Sequence, residues 1–400
     1  MQYRKILYIS YDGLTDSLGQ SQILPYLTNL SSTNFIVILS AEKKQNLIRR
    51  KCFIQSKLKK NTNIVWKYIS YTKKPPIFST LIDMLKLFLY AAFLQIKYRF
   101  DIVHCRSYIP STVGDKIAKI FNTKWIFDMR GFWADERVEG NLWPQNKFLY
   151  QLIYTYFKKK EEYLLKSADV VVVLTHEAKN IIVHSWNIPL KHQPFVIPCC
   201  VDLEHFSNSL KNKNTLKIYD LVYLGSVGTW YLLDEMLDFF LCYLKKFPYA
   251  KFLFITVENQ SIILEKAIHK NINPNSLVIT SAERDDIPQL LEQCKIAVFF
   301  IKPSFSKKGS SATKLAELLA MGLPVITNSD VGDHDFIFSH YICGVLIDNF
   351  NEKEYNKAID KITAFMLNTT EIDLRTTAEQ LFNLKSGVEK YLSIYNLLKP

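Results

Sequence analysis

The chain has 400 residues, 48% of them hydrophobic and 22% charged, which excludes a disordered polymer and leaves room for two domains with separate cores. Lys and Arg outnumber Asp and Glu by 50 to 38, a formal net charge of +12 that favours phosphorylated ligands or an anionic membrane surface. No arginine-rich tract or nucleic-acid motif accompanies it, so nucleic acid is not expected as a partner, and seven irregularly spaced cysteines without a zinc pattern point to reduced thiols in a cytosol.

The chain enters a strand almost at once, at Lys5 to Ile9, so no signal peptide is expected. Strand-like runs follow at 6–10, 35–39, 64–69, 101–104, 125–128, 170–174 and 195–197, with helical patterns at 21–30, 77–98, 146–166 and 176–184 between them. Such alternation gives a parallel sheet with helices on both faces. The stretch 77–98 is apolar, but Asp83, Lys86, Gln95 and Lys97 interrupt it; it reads as an amphipathic helix packed on the sheet as core, whose length and aromatic content leave some room for membrane-surface contact.

Three polar clusters in this half follow strands, where ligands bind in such sheets. The first, Ser10 to Gln22, carries Gly13 and Gly19, which allow a tight loop, with Gln20 beside them. The second places His104, Arg106 and Ser107 at the end of a buried strand. The third, Asp128 to Arg137, is the densest: Arg130 suits bidentate phosphate or carboxylate recognition, Trp133 offers an aromatic face for a sugar ring, and Asp135 and Glu136 suit sugar hydroxyls. A salt-bridged loop is the plain alternative for that cluster.

A polar, Lys/Asn-rich stretch at 208–217 reads as a linker, after which strands restart at 220–224, 251–256, 277–280, 296–301, 324–327 and 343–347. Helices are expected from about Glu354 and from about Ile372 to the end. After the first of these strands, Gly225, Ser226, Gly228 and Thr229 permit close approach to a phosphate. Ser281 to Asp286 is a capped helix start with Arg284 as a weak candidate. Around the fourth strand, Lys302, Ser304, Ser306, Lys307 and Lys308 lead into Gly309-Ser310-Ser311, where a serine is expected to cap a helix running over 312–321. A helix start with free N–H groups suits an anion. Thr313, Lys314 and Glu317 share one helix face, so Glu317 can accept hydrogen bonds from a ribose diol.

Glu317-Leu-Leu-Ala-Met-Gly-Leu-Pro-Val-Ile326 resembles the donor-site segment of retaining glycosyltransferases of family 4, and Val196 to Phe206 resembles a second segment of that family at the end of its first domain. Five segments in order extend the resemblance over nearly the whole chain. Two departures stand out: Gly309 occupies the place of the family's earlier Glu, and no Arg/Lys pair lies between Gly225 and Leu241.

The resemblance implies a GT-B fold, two Rossmann-like doubly wound α/β domains facing across a cleft. The domains expected are an acceptor-side one over 1–207, the linker, a nucleotide-sugar-binding one over 218–375, and a C-terminal helix over 376–400 crossing back to the first. It also implies metal-independent transfer of a sugar, with retention, from a nucleotide-sugar donor, UDP-linked by preference. The acceptor would be a saccharide or a lipid-linked saccharide in bacterial surface glycan synthesis, and no cofactor is expected. Arg130, His104 and Lys314 are the expected catalytic residues. Gly225, Ser226, Lys302, Ser310, Ser311, Thr313, Lys314 and Glu317 would bind donor, while Gly19, Gln20, Arg106, Trp133, Asp135 and Glu136 would meet acceptor or sugar. The setting implied is cytoplasmic, peripheral at the inner membrane face. The rivals are a nucleotide-sugar epimerase of the same fold and an inactive nucleotide-sugar-binding partner subunit.

Overall fold

The computed structural model describes residues 3–59, 61–75, 78–207 and 216–398. Most of the expected linker, 208–215, lies outside the described residues. Two compact units emerge, one comprising residues up to Pro198 together with those from Leu384 on, the other Cys199 to Asn383.

The first unit is built on seven parallel strands: β1 (Arg4–Ser10), β2 (Asn34–Glu42), β3 (Ile64–Ser70), β4 (Ile102–Arg106), β5 (Lys124–Asp128), β6 (Val170–Val173) and β7 (Phe195–Val196), in the order β3-β2-β1-β4-β5-β6-β7. Both faces of the sheet are covered, so its central strands are near-continuous apolar runs, and Ile6 pairs in register with Ile36 on one side and Ile102 on the other. Its helices are α1 (Ser17–Gln22), α2 (Leu24–Leu30), α3 (Lys44–Lys59), α4 (Phe78–Tyr98), α5 (Tyr108–Phe121), α6 (Trp133–Glu139), α7 (Phe148–Ser167) and α8 (His176–Asn180).

The single helix expected over 21–30 is instead two. The chain breaks at Ile23 (φ −120°, ψ −59°), and Pro25, which lacks an N–H and clashes with a preceding turn, sits in the first turn of the second helix. The helix expected over 77–98 does lie on the sheet, but only one side is buried: Ser79, Asp83, Leu87, Ala91 and Leu94 face inward at helical spacing. Asp83 is anchored there by the Tyr11 hydroxyl, by Thr72 and by Lys86.

The second unit has six parallel strands, β8 (Tyr219–Leu224), β9 (Phe252–Ile255), β10 (Leu277–Thr280), β11 (Cys294–Val298), β12 (Val325–Asn328) and β13 (Gly344–Ile347), ordered β10-β9-β8-β11-β12-β13. Helices α9 (Leu233–Lys246), α10 (Gln260–His269), α11 (Ile287–Leu291), α12 (Thr313–Ala320), α13 (His334–His340), α14 (Glu352–Asn368) and α15 (Glu371–Phe382) complete it, and the last helix, α16 (Leu384–Leu397), groups with the first unit. Gly322 ends α12 at φ +71°, and a Cβ there would come within 2.6 Å of the Glu371 side chain, so the stop is both conformational and steric.

The strand order decides where chemistry can sit. In each unit the order reverses beside the first strand, between β1 and β4 and between β8 and β11. The loops leaving those strands diverge there and open a crevice at the carboxyl ends. In the first unit these are the Ser10–Asp16 loop and the turn after Arg106; in the second, the loop from Gly225 and the stretch 302–312.

Candidate functional site

In the second unit, β11 gives way to a basic stretch whose single 3-10 segment, Phe305–Gly309, delivers the chain to α12. The expected serine cap is absent: the N-cap is Ala312, with no side-chain cap, and the helix begins at Thr313. The Ser311 hydroxyl is used elsewhere, accepting the Cys199 N–H at 3.1 Å, while the Ser310 N–H turns back to the Lys307 carbonyl. The first-turn N–H groups of α12 therefore have no side-chain cap, as suits a helix start that receives an anion.

Lys314, one residue into that helix, is the dominant feature. Its side chain is buried, donates to the Tyr223 hydroxyl at 3.1 Å, and lies 3.4 Å from the centre of the Tyr231 ring and 4.2 Å from that of Tyr223. No carboxylate forms a salt bridge to it among the described residues. Burial pushes its ammonium well below the ordinary lysine range, with Glu317 opposing only in part. Gly225, at φ +127°, lies against the same ammonium: a Cβ there would stand 2.9 Å from Nζ. The loop after β8 thus needs glycine for its backbone conformation and for the approach of Lys314. The Tyr223 hydroxyl also donates to the Ser226 carbonyl, tying that loop to its strand.

One turn deeper, Glu317 is buried and accepts from Arg284 Nη1 at 2.9 Å. Burial raises its carboxyl despite Arg284, Lys314 and His205, so the ion pair does not fully offset the loss of water. Arg284, only a weak candidate in the sequence, is fixed over the Phe206 ring, and its carbonyl accepts from His205 Nε2 at 3.2 Å. Lys302 is exposed, whereas Lys307 is buried over Trp230, 3.7 Å from the ring centre. The structure thus brings Gly225, Lys314, Glu317 and the 302–311 stretch to one crevice. Ser226 stands exposed at its rim and Thr313 half-buried at the helix start.

In the first unit, His104, Arg106, Asp128 and Arg130 converge beneath α16. Their geometry corrects the expectation of direct substrate contact for two of them: His104 is 1% and Arg106 is 3% exposed. The His104 Nδ1 lies 2.8 Å from the Tyr395 hydroxyl, its Nε2 lies 3.7 Å from Asp128, and its ring packs on Tyr8 and Tyr391. Arg106 Nε donates to Asp12 at 3.3 Å. Asp128 accepts from the Tyr391 hydroxyl at 3.0 Å and lies 3.7 Å from Arg130, which sits in the left-handed region at φ +58°. Burial alone would raise the Asp128 carboxyl, but Arg130, then His104 and Arg106, overcome it and hold it at about 2. Burial likewise pushes His104 down, against the pull of Asp128.

The remaining expected residues divide. Gly19 is required sterically, since a Cβ would meet the Gly13 carbonyl, and the Gln20 amide donates to Thr15 at 3.3 Å. Trp133 is corrected: its ring, half-buried, is stacked on Tyr108 and contacts Trp143, Phe157 and Arg137, so it packs α6 on α7 rather than standing free for a sugar. Asp135 is also turned inward, accepting from Tyr154 at 2.8 Å and Lys158 at 2.9 Å. Glu136 is half-buried on the same helix. One residue escaped notice: Glu42, buried, accepts the Leu14 and Thr15 N–H groups and the Ser40 hydroxyl, and so holds the glycine loop in place. A lone Glu at a strand end carries no signal of that role. Tyr391 and Tyr395 were equally silent, being separated from β4 by most of the chain.

Comparison with known proteins follows the two-unit division. Residues 50–205 match the Glycosyltransferase Family 4 domain and residues 208–365 the Glycosyl transferases group 1 domain. No curated protein sequence matches the chain. Among solved structures, a sucrose-phosphate synthase from Thermosynechococcus elongatus is similar at 15% identity and a TM-score of 0.72, covering 99% of each chain. A glycosyltransferase from Rickettsia africae is similar at 17% identity and a TM-score of 0.70, covering 100% of this chain and 99% of its own. Anabaena HepE in complex with UDP-glucose is similar at 13% identity and a TM-score of 0.72, covering 98% and 99%. These likenesses establish the fold, two parallel-sheet Rossmann-like domains of GT-B type.

Proposed function

We propose that this chain, a glycosyltransferase of GT-B type by its two matched domains, transfers a sugar from a UDP-linked donor held in the second unit. The acceptor is a saccharide or lipid-linked saccharide met by the first unit, in surface glycan synthesis at the cytoplasmic membrane face. Transfer proceeds with retention and without a metal.

The observation that carries this reading is Lys314, a buried ammonium without a salt bridge among the described residues, aimed at a glycine loop and set in the first turn of α12. Such a cation is held against its own desolvation cost, and a diphosphate supplies the missing negative charge. A similar structure was obtained with UDP-glucose, which supports a UDP-linked donor. In the reaction, Lys314, Lys302 and the first-turn N–H groups of α12 stabilise the departing diphosphate, and Gly225 and Ser226 line its path. This is the electrostatic preorganisation that an oxocarbenium-like transition state needs, without a dedicated nucleophile. Glu317 holds the ribose. Arg130, poised by Asp128, meets the sugar or acceptor, and His104 positions Asp128 from behind. The glycine loop with Gly19 and Gln20 forms the acceptor side.

Replacing Glu317 by Ala is expected to weaken UDP binding roughly 10- to 100-fold, the loss of a buried charge-assisted pair of hydrogen bonds. Calorimetric titration checks this, and unchanged affinity removes Glu317 from the site. Gly309 and the missing Arg/Lys pair favour one other reading, an inactive nucleotide-binding partner. UDP binding without turnover of any UDP-sugar by the folded protein selects it.

A further inference from the structure

Helix α4 carries more than its buried face requires. Leu81, Leu85, Leu89, Phe93 and Ile96 are between 56% and 67% exposed and recur every three or four residues, forming one stripe opposite the buried positions. No charged residue falls within that stripe. Basic residues flank it: exposed Lys73 and Lys74 precede the helix, and exposed Lys97 and Arg99 close it. The neighbouring helices extend the character. Helices α4, α5 and α7 bury Leu87, Ile117 and Leu164 in the same core layer, with α5 packed against both others. Helix α5 presents exposed Lys116, Lys119 and Ile120, and α7 presents exposed Leu149, Leu152 and Tyr156 with Lys159. Isolated exposed apolar residues are ordinary, but a continuous stripe bracketed by cations is not.

We infer that this face of the first unit docks on an anionic lipid bilayer, with α4 lying in the plane of the interface. The stripe enters the headgroup–acyl boundary, and the flanking lysines and arginine remain among the lipid phosphates. Helix α4 is long and apolar enough to cross a membrane by length and composition. Its buried Asp83, held by Tyr11, Thr72 and Lys86, keeps it packed on the sheet instead. The occupant follows from the charge: the exposed ionisable groups at the two ends of the stripe, Lys73, Lys74, Lys97 and Arg99, are basic, which suits anionic lipid. The inference rests on this surface alone and not on the donor chemistry of the second unit.

Co-sedimentation of the full chain with vesicles tests it. Binding is expected to vesicles containing phosphatidylglycerol, to weaken about 10-fold or more on phosphatidylcholine alone, and to weaken as salt is raised. Leu85→Glu combined with Leu89→Glu is expected to reduce partitioning at least about 100-fold, since two leucines no longer leave water. Both positions are exposed, so the variant should keep its far-UV spectrum and its UDP response, which separates a failed membrane surface from a failed donor site. Wild-type binding that prefers anionic vesicles supports the inference even if that variant does not fold. Three results overturn it: wild type that stays in the supernatant with anionic vesicles, a folded variant that binds as wild type does, or self-association without lipid that the variant abolishes.

Discussion

Replacing Lys314 by Met is expected to move stability and ligand binding in opposite directions. The lysine is buried against Tyr223, Tyr231 and Phe299 with no carboxylate in salt-bridge contact among the described residues, so its ammonium is desolvated with only one hydroxyl and aromatic faces in return. Methionine fills similar volume without the charge, and the exchange should raise folding stability by about 1–2 kcal/mol. The same change should lower UDP affinity by about 100-fold, because the diphosphate loses its central charge-assisted donor. Denaturant unfolding and calorimetry read the two effects separately. Lower stability with unchanged affinity would make Lys314 a structural residue only.

The pH dependence has a definite sign. Because the folded-state pKa of Lys314 is lowered, the unfolded chain binds more protons between that lowered value and the ordinary 10.5, so this group makes stability rise with pH across that window. A bound diphosphate restores the proton. UDP binding should therefore take up a proton in that window and weaken as pH rises through it.

The second large effect is expected at Asp128. Its carboxylate is buried among His104, Tyr391 and Arg130 and is held at about 2 by Arg130, His104 and Arg106 against the opposing effect of burial. Asp128→Asn leaves Arg130 and Arg106 facing each other without their shared counter-charge, and a loss of roughly 3–5 kcal/mol is expected, the range for a broken buried pair. A carboxyl with a depressed folded pKa contributes stability that is complete above its unfolded value of 3.8 and is lost as pH falls toward about 2. The wild type should thus lose stability across that interval and the variant should lose less. Urea midpoints across acidic pH measure both. A variant as stable as wild type would show that the network is not what fastens α16 to β4 and β5.

The fold was largely legible because it is written in local patterns. Buried parallel strands appear as apolar runs such as Ile36 to Leu39 and Phe252 to Ile255, and short connections leave few topologies to choose among. The clustering of Gly225, Lys314 and Glu317 was legible for the same reason: they follow adjacent strands at the switch point, and strand order does the rest. The misreadings are contacts between distant segments. Ser311 looked like a helix cap until the Cys199 N–H claimed its hydroxyl. Trp133 looked available until α7 supplied Phe157, and His104 looked accessible until α16 brought Tyr391 and Tyr395 over it. Spacing along the chain cannot record a partner that arrives from another part of it.

The crevice around Lys314 is proposed to receive the diphosphate of a UDP-linked donor. Calorimetric titration of the folded wild type with UDP, GDP, CMP and ADP tests it most directly. Saturable one-site binding that favours UDP and weakens about 100-fold in Lys314→Met is expected. Absence of binding by all four nucleotides, or UDP binding that survives the substitution intact, would contradict it.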